Sequence, residues 1–190
     1  RITYEEHLST YDGLPTKKKL DMLTLEKDLP LDLHMEIASQ KARQTMSVLF
    51  DTIKPRMEFT KIFMALKNAG YRIACASNAV RSTVDTALDC LEIRKYFDVI
   101  YSNQDVDKPK PHFEMYFKIM LALNSKPNET LILEDSHIGR QAVLDAGCHL
   151  LPVIDSYDVK LEKIEAKLAE LNKQIIVRVP WRSNKMNVLI

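Results

Sequence analysis

Between Arg56 and Ile154 the sequence switches back and forth between two hydrophobic periods, and this rhythm restricts the possible folds more than any other feature. Residues 56–69 have the apolar spacing of an amphipathic helix that Gly70 stops. Residues 71–77 then read as a strand, 82–91 as a helix, 98–102 as a strand and 111–123 as a helix. Residues 130–134 form a short apolar strand led by β-branched Thr130, helical spacing follows from His137 to the stop at Gly147, and 148–154 read as one more strand. Strands separated by helices imply right-handed crossovers and a parallel sheet, so the expected fold is α/β with a Rossmann-like core. In such sheets ligands bind beyond the carboxyl ends of the strands.

Three of those ends carry polar groups. Leu131-Ile132-Leu133 runs into Glu134-Asp135-Ser136, where two adjacent carboxylates repel each other unless a cation or a shared proton neutralises them. Hard oxygen donors of this kind suit Mg²⁺, although an aspartate capping the next helix, with a solvated glutamate beside it, accounts for the same residues. Ser77-Asn78 ends the first strand of the core with a hydroxyl and an amide able to hold a phosphate oxygen, or simply to start a helix. Lys108 lies in Asp107-Lys108-Pro109-Lys110-Pro111, a loop stiffened by two prolines, and is either a fixed positive charge for a dianion or a solvated lysine. Hydroxyl, lysine and carboxylate pair fall at three successive places in the α/β order.

The flanks differ in character. Thr3-Tyr4-Glu5-Glu6 has capping-box spacing, a turn at Gly13-Leu14-Pro15-Thr16 follows, a lysine-rich helix spans 17–27, and Asp32 is placed to cap a helix reaching Phe50. Ile53-Lys54-Pro55 reads as a linker, which gives a helical segment 1–53, an α/β core 54–155 and a C-terminal portion 156–190. In that last portion an amphipathic helix at 158–172 precedes a strand expected at 174–179 and an apolar run at 186–190, where a further domain is expected to open. With 46% hydrophobic and 28% charged residues the chain can fill a core and is not compositionally disordered. Its 27 basic and 26 acidic residues leave no net field to draw nucleic acid or an anionic membrane. No apolar run nears the roughly 20 residues that span a bilayer. Cys75, Cys90 and Cys148, odd in number and in apolar settings, read as reduced core residues of a cytoplasmic protein.

Taken together, Ala76-Ser77-Asn78, Lys108-Pro109-Lys110-Pro111 and Glu134-Asp135-Ser136 with Gly139 and Ala146-Gly147 resemble the haloacid dehalogenase (HAD) superfamily, and within it the β-phosphoglucomutase-like phosphatases with a small helical cap. The resemblance spans residues 3–154. It implies that Ser77, with Asn78 beside it, binds phosphate, and that Lys108 stabilises nucleophile and phosphoryl group. It also implies that Asp135 binds Mg²⁺, with Glu134 in the same shell directly or through water, and that residues 13–16 form a substrate-facing loop where Thr16 and Lys17 meet the substrate. The expected activity is Mg²⁺-dependent phosphatase action on a small phosphorylated metabolite such as a sugar phosphate, by a monomer; a phosphomutase, or an inactive HAD-fold binding domain, is the alternative. One element departs from the family. Its Asp-x-Asp nucleophile motif, on a strand before the cap, has no counterpart here, since Asp51 is followed by Thr52-Ile53 and falls in the linker region. His112 stands where the family carries an acid. Because the chain opens at Arg1 inside the cap, it is expected to be a fragment lacking that strand, unable to turn over phosphate esters and marginally stable unless another segment fills the gap.

Overall fold

The computed structural model describes residues 2–11, 14–175 and 187–189. Helices α1 (Tyr4–Glu6), continued by a wider turn at His7–Tyr11, α2 (Thr16–Lys27) and α3 (His34–Thr52) form the helical part. The expected capping box opens α1: Thr3 Oγ1 accepts from the Glu6 amide while the Glu6 carboxylate accepts from the Thr3 amide. Polar side chains tie these helices together, with Tyr11 Oη donating to Glu26 at 2.7 Å and Thr24 Oγ1 bonded to His34 Nε2 at 2.7 Å. Asp32 does not cap α3; it lies in a tight turn, Leu31–Leu33, and the helix starts after Leu33 with no side-chain cap. Asp51 sits exposed in the last turn of α3.

The core follows the expected alternation: α4 (Met57–Asn68), β1 (Ile73–Ala76), α5 (Arg81–Cys90), β2 (Val99–Tyr101), α6 (Glu114–Ala122), β3 (Thr130–Glu134), α7 (His137–Asp145) and β4 (His149–Pro152). Then come α8 (Leu161–Ile175) and β5 (Asn187–Leu189). Gly70 and Gly147 close α4 and α7 at φ +84° and +69°, the left-handed conformation that glycine adopts at least cost. Of the strand expected at 174–179, the first two residues belong to α8 and the rest lie outside the described residues.

All strand pairings are parallel, in the order β2-β1-β5-β3-β4. Side chains alternate between two apolar layers, as the period of two requires. Ile73, Leu131 and Leu133 face α4, α5 and α8, where Phe59, Phe63, Leu88, Ile164 and Leu168 are buried. Ala74, Ala76 and Ile132 face α6 and α7, against Met115, Tyr116, Ile119, Ala142 and Val143. The amphipathic helix of the C-terminal portion thus packs on the core, burying Ile164, Leu168 and Leu171. β5 occupies the middle of the sheet, between β1 and β3, so the gap expected from the missing strand is filled by a segment of the chain itself.

Candidate active site

The site lies at the carboxyl ends of β1 and β3, in a cleft of about 390 Å³ bounded by Ser77, Asn78, Lys110, Glu134, Asp135 and Asp155 among others. Its centre is Lys110. The residue is 7% exposed, and its Nζ donates to Glu134 Oε2 at 2.7 Å and to the Ala76 carbonyl at 3.0 Å, linking the ends of β1 and β3. Asn78 holds the lysine's backbone from both sides: its Oδ1 accepts from the Lys110 amide, and its Nδ2 donates to the Lys110 carbonyl, each at 3.0 Å. Lys108 is not in the site, contrary to the sequence expectation. Glu114 accepts from the amides of Asp107 and Lys108 at 3.0 and 2.9 Å, and this turns Lys108 onto an exposed outer face beside Lys18, His112 and Gln141. The Glu114 amide in turn donates to His112 Nδ1 at 3.1 Å, so the residue that departs from the family acid anchors the start of α6.

Glu134 is also 7% exposed. Its Oε2 accepts from Lys110 and, at 2.8 Å, from Tyr116 Oη; its Oε1 accepts from the Ser136 amide and hydroxyl at 3.1 and 2.9 Å. A carboxylate offers about four lone-pair sites, and these donors use them all. Burial alone would raise this carboxyl above its ordinary 4.5, but the charge and hydrogen bond of Lys110, helped by Tyr116 and Ser136, bring it down to about 2. Glu134 therefore anchors Lys110, and with its lone pairs taken it fits the arrangement in which it reaches a metal through water rather than directly. Gly139 is required next to it, because a Cβ there would stand 2.1 Å from the Glu134 carboxyl carbon.

Asp135 is the open carboxylate. The helix-capping explanation fails for it, since the N-cap of α7 is Ser136, whose Oγ accepts from the Gly139 amide at 3.1 Å. Partial withdrawal from water, together with the neighbouring Glu134, raises the Asp135 carboxyl above its ordinary value, which marks a position that a cation would relieve. Among the described residues no group of three or more His, Cys, Asp or Glu stands ready for a metal. The donors still fit Mg²⁺ in kind, because that ion keeps several waters and is commonly held by one or two carboxylates plus a substrate phosphate. Asp135 would hold it directly, with Glu134 reached only through water.

Ser77 ends β1 within the cleft, its Oγ accepting from the Ala79 amide at 3.1 Å. Thr16 and Lys17 line a second cleft of about 470 Å³ between the helical part and the core, and Asn78 borders both. Thr16 Oγ1 accepts from Lys41 Nζ at 2.8 Å, while Lys17 pairs with Asp21 on the surface. Sequence reasoning passed over Lys41, Lys110 and Tyr116. Lys110 had a signal in the Lys-Pro-Lys-Pro repeat, whereas Lys41 and Tyr116 are ordinary helix residues until the fold brings them in.

Residues 2–153 match the family model described as haloacid dehalogenase-like hydrolase. An uncharacterized protein of Haemophilus influenzae is 30% identical over 139 residues, which cover 72% of this chain and 64% of that protein. The pyrophosphatase PpaX of Bacillus mycoides is 27% identical over 128 residues, 67% of this chain and 53% of the relative. The chain thus spans between half and two thirds of the length of these relatives. Among solved structures, a β-phosphoglucomutase from Clostridium difficile superposes with a TM-score of 0.70 at 18% identity, covering 87% of this chain and 80% of that one. The CbbY protein of Rhodobacter sphaeroides, in complex with xylulose-1,5-bisphosphate, gives 0.72 at 21% identity over 82% and 72%. These two likenesses establish the Rossmann-like fold with its helical cap. A family match over residues 2–153, with Ser77, Lys110 and Asp135 gathered at the ends of a parallel sheet, places this chain in the haloacid dehalogenase-like hydrolases.

Proposed function

We propose that this site receives the phosphoryl group of a small phosphorylated metabolite and belongs to an Mg²⁺-dependent phosphatase. One observation carries the reading: a buried ammonium, Lys110, is fixed at the sheet's carboxyl edge beside one saturated carboxylate, Glu134, and one open carboxylate, Asp135. Lys110 has three N–H donors, two of which hold Ala76 and Glu134, so the third can meet a phosphate oxygen. Ser77 adds a neutral hydroxyl donor at the same mouth. Bound Mg²⁺ supplies the positive charge that lets a dianionic phosphate approach Asp135. The relatives named above, a pyrophosphatase and a protein holding a sugar bisphosphate, are consistent with phosphorylated substrates of this size.

A second reading, a domain that binds phosphate without turning it over, is favoured by one fact. Among the described residues, the carboxylates lining the cleft are Glu134, Asp135 and Asp155. Glu134 is saturated, Asp155 Oδ1 accepts from the amides of Tyr157 and Asp158, and Asp135, the open one, is the carboxylate that would hold Mg²⁺. The 190-residue chain is therefore expected to bind inorganic phosphate only when Mg²⁺ is present and to hydrolyse no phosphate ester. Titration followed by ³¹P line broadening, with Asp135→Asn as the comparison, tests this. Phosphate binding that ignores Mg²⁺, or that survives Asp135→Asn unchanged, removes the reading.

A further inference from the structure

Arg56 stands at the junction between the helical part and the core. It is the residue before α4 and follows the linker Ile53-Lys54-Pro55 that leads out of α3. Its guanidinium lies between two aromatic rings, 4.3 Å from the centroid of Phe59 and 4.2 Å from that of Tyr157. Nη1 also donates to Ser156 Oγ at 3.1 Å and to the Ser156 carbonyl at 3.5 Å. Arginine suits such a place, because its flat, delocalised cation can stack on rings with both faces while its edge still donates. Among the described residues no carboxylate pairs with this cation, so the two rings and Ser156 are what it holds.

Ser156 and Tyr157 belong to the turn 154–158 that follows β4, and Asp155 and Ser156 border the first cleft together with Ser77 and Asp135. The turn is closed on itself. Asp155 Oδ1 accepts from the Tyr157 and Asp158 amides at 2.7 and 3.1 Å, Asp158 Oδ2 accepts from the Ile154 amide at 3.1 Å, and Lys163 pairs with Asp158. These bonds begin and end within residues 154–163, so they shape the turn without fixing where it stands. Its base is fixed at Val153, whose amide donates to the Glu134 carbonyl and whose carbonyl accepts from Arg140. Its tip is fixed by Arg56, 100 residues away in sequence.

Toward the helical part Arg56 has little slack. The Ile53 amide donates to the Leu49 carbonyl at 2.9 Å and Lys54 Nζ to the Phe50 carbonyl at 3.1 Å, so the first two linker residues stay bound to the end of α3. Pro55 then fixes its own φ and restricts Lys54 before it. The Arg56 carbonyl accepts from the Phe59 and Thr60 amides at 3.1 and 3.3 Å, which sets it as the start of α4. α3 is also a wall of the second cleft, through Ala38, Lys41 and Thr45. One line of contacts therefore runs from the second cleft along α3, through the linker to Arg56, and across the two rings to the wall that carries Asp155 and Ser156. We propose that Arg56 is a positioning residue that couples the two clefts: the seating of α3 over the second sets where turn 154–158 stands in the first, and with it the affinity for phosphate and Mg²⁺. The phosphoryl-transfer reading supplies what the first cleft binds; the coupling adds that binding there reaches the linker.

The test is amide hydrogen exchange alongside the ³¹P titration, on the full chain and its Arg56→Met and Tyr157→Leu variants, with inorganic phosphate and Mg²⁺ as the probe. Methionine keeps an apolar chain between the rings but has neither cation nor donor. Leucine removes the exposed ring and leaves Arg56 in place. In the parent, saturation with the probe should slow exchange at Tyr157 and Asp158, and, because coupling between sites is reciprocal, at Ile53 by about fivefold or more. In both variants phosphate should still bind, about three- to tenfold more weakly, while the slowing at Ile53 disappears. A residue that only braced the fold would lower protection throughout the core and show no such selective loss. Slowing at Ile53 that persists in both variants overturns the proposal, and so does parent affinity in both. A parent that binds phosphate with Mg²⁺ while Ile53 never responds removes the coupling alone. A parent that binds no phosphate with Mg²⁺ removes the phosphoryl-transfer reading, and the coupling falls with it.

Discussion

Lys110→Met separates two lysines that look alike in sequence. The substitution keeps much of the side chain's length but deletes the ammonium that Glu134 and Ala76 share. A carboxyl that falls from 4.5 to about 2 on folding contributes about 3 kcal/mol at neutral pH. Removing one partner of a buried pair costs roughly 3–5 kcal/mol by direct comparison, so two independent routes reach the same size. That loss is a large part of a typical stability of about 5–15 kcal/mol. Lys108→Met, on an exposed face, should stay within about 0.5 kcal/mol of the parent. The sign with pH is fixed by the direction of the shift. Because folding depresses the Glu134 carboxyl, its contribution is whole above 4.5 and fades as pH falls toward about 2. Urea unfolding of parent and Lys110→Met should therefore show a gap at pH 7 that shrinks to about half at pH 3. Two results would refute the reasoning: Lys108→Met as costly as Lys110→Met, or a gap that does not change between the two pH values.

Gly139→Ala drives a methyl into the Glu134 carboxylate and should cost at least about 3 kcal/mol, overpacking added to a displaced ion pair; a melting curve within a degree of the parent would contradict the close contact. Tyr116→Phe deletes the 2.8 Å hydrogen bond to a buried carboxylate and should cost about 1.5–3 kcal/mol, read by the same urea curves. Asn78→Ala opens the clasp on Lys110, so phosphate affinity in the ³¹P titration should fall severalfold while stability drops only about 1–2 kcal/mol; unchanged phosphate affinity would show that the clasp does not position the lysine.

Local pattern was enough for the core elements, because each is a short run whose period is set by the layer it packs on. β3 begins and ends at the residues its composition indicates, Thr130 and Glu134, since all five are buried and the two polar residues that follow cannot be. α3 started later than expected because Asp32 was spent in a tight turn, an outcome that the spacing of apolar residues does not encode. The site shows a sharper boundary between what is local and what is not. Lys108 and Lys110 each precede a proline, so nothing within the loop ranks one above the other. The decision is made by Asn78, which lies 32 residues away in sequence and grips Lys110, and by Glu114, which claims the amide of Lys108.

The same dependence governs Glu134 and β5. Adjacent carboxylates at a strand end suggest two metal ligands, but a ligand needs a free lone pair, and the donors that occupy those of Glu134 include Lys110 and Tyr116, reached only through the fold. Asp135 differs from it by one position and therefore by one face of the strand, which is why a single step along the chain converts a structural anchor into an open carboxylate. The run at the C-terminal end read only as an apolar stretch where a further domain would open, yet its residues 187–189 form β5 within the core sheet, and nothing local said where they would pair. Its place is decided by the sheet: β1 and β3 each present backbone groups to a shared slot, and a parallel strand is the element that satisfies both walls at once.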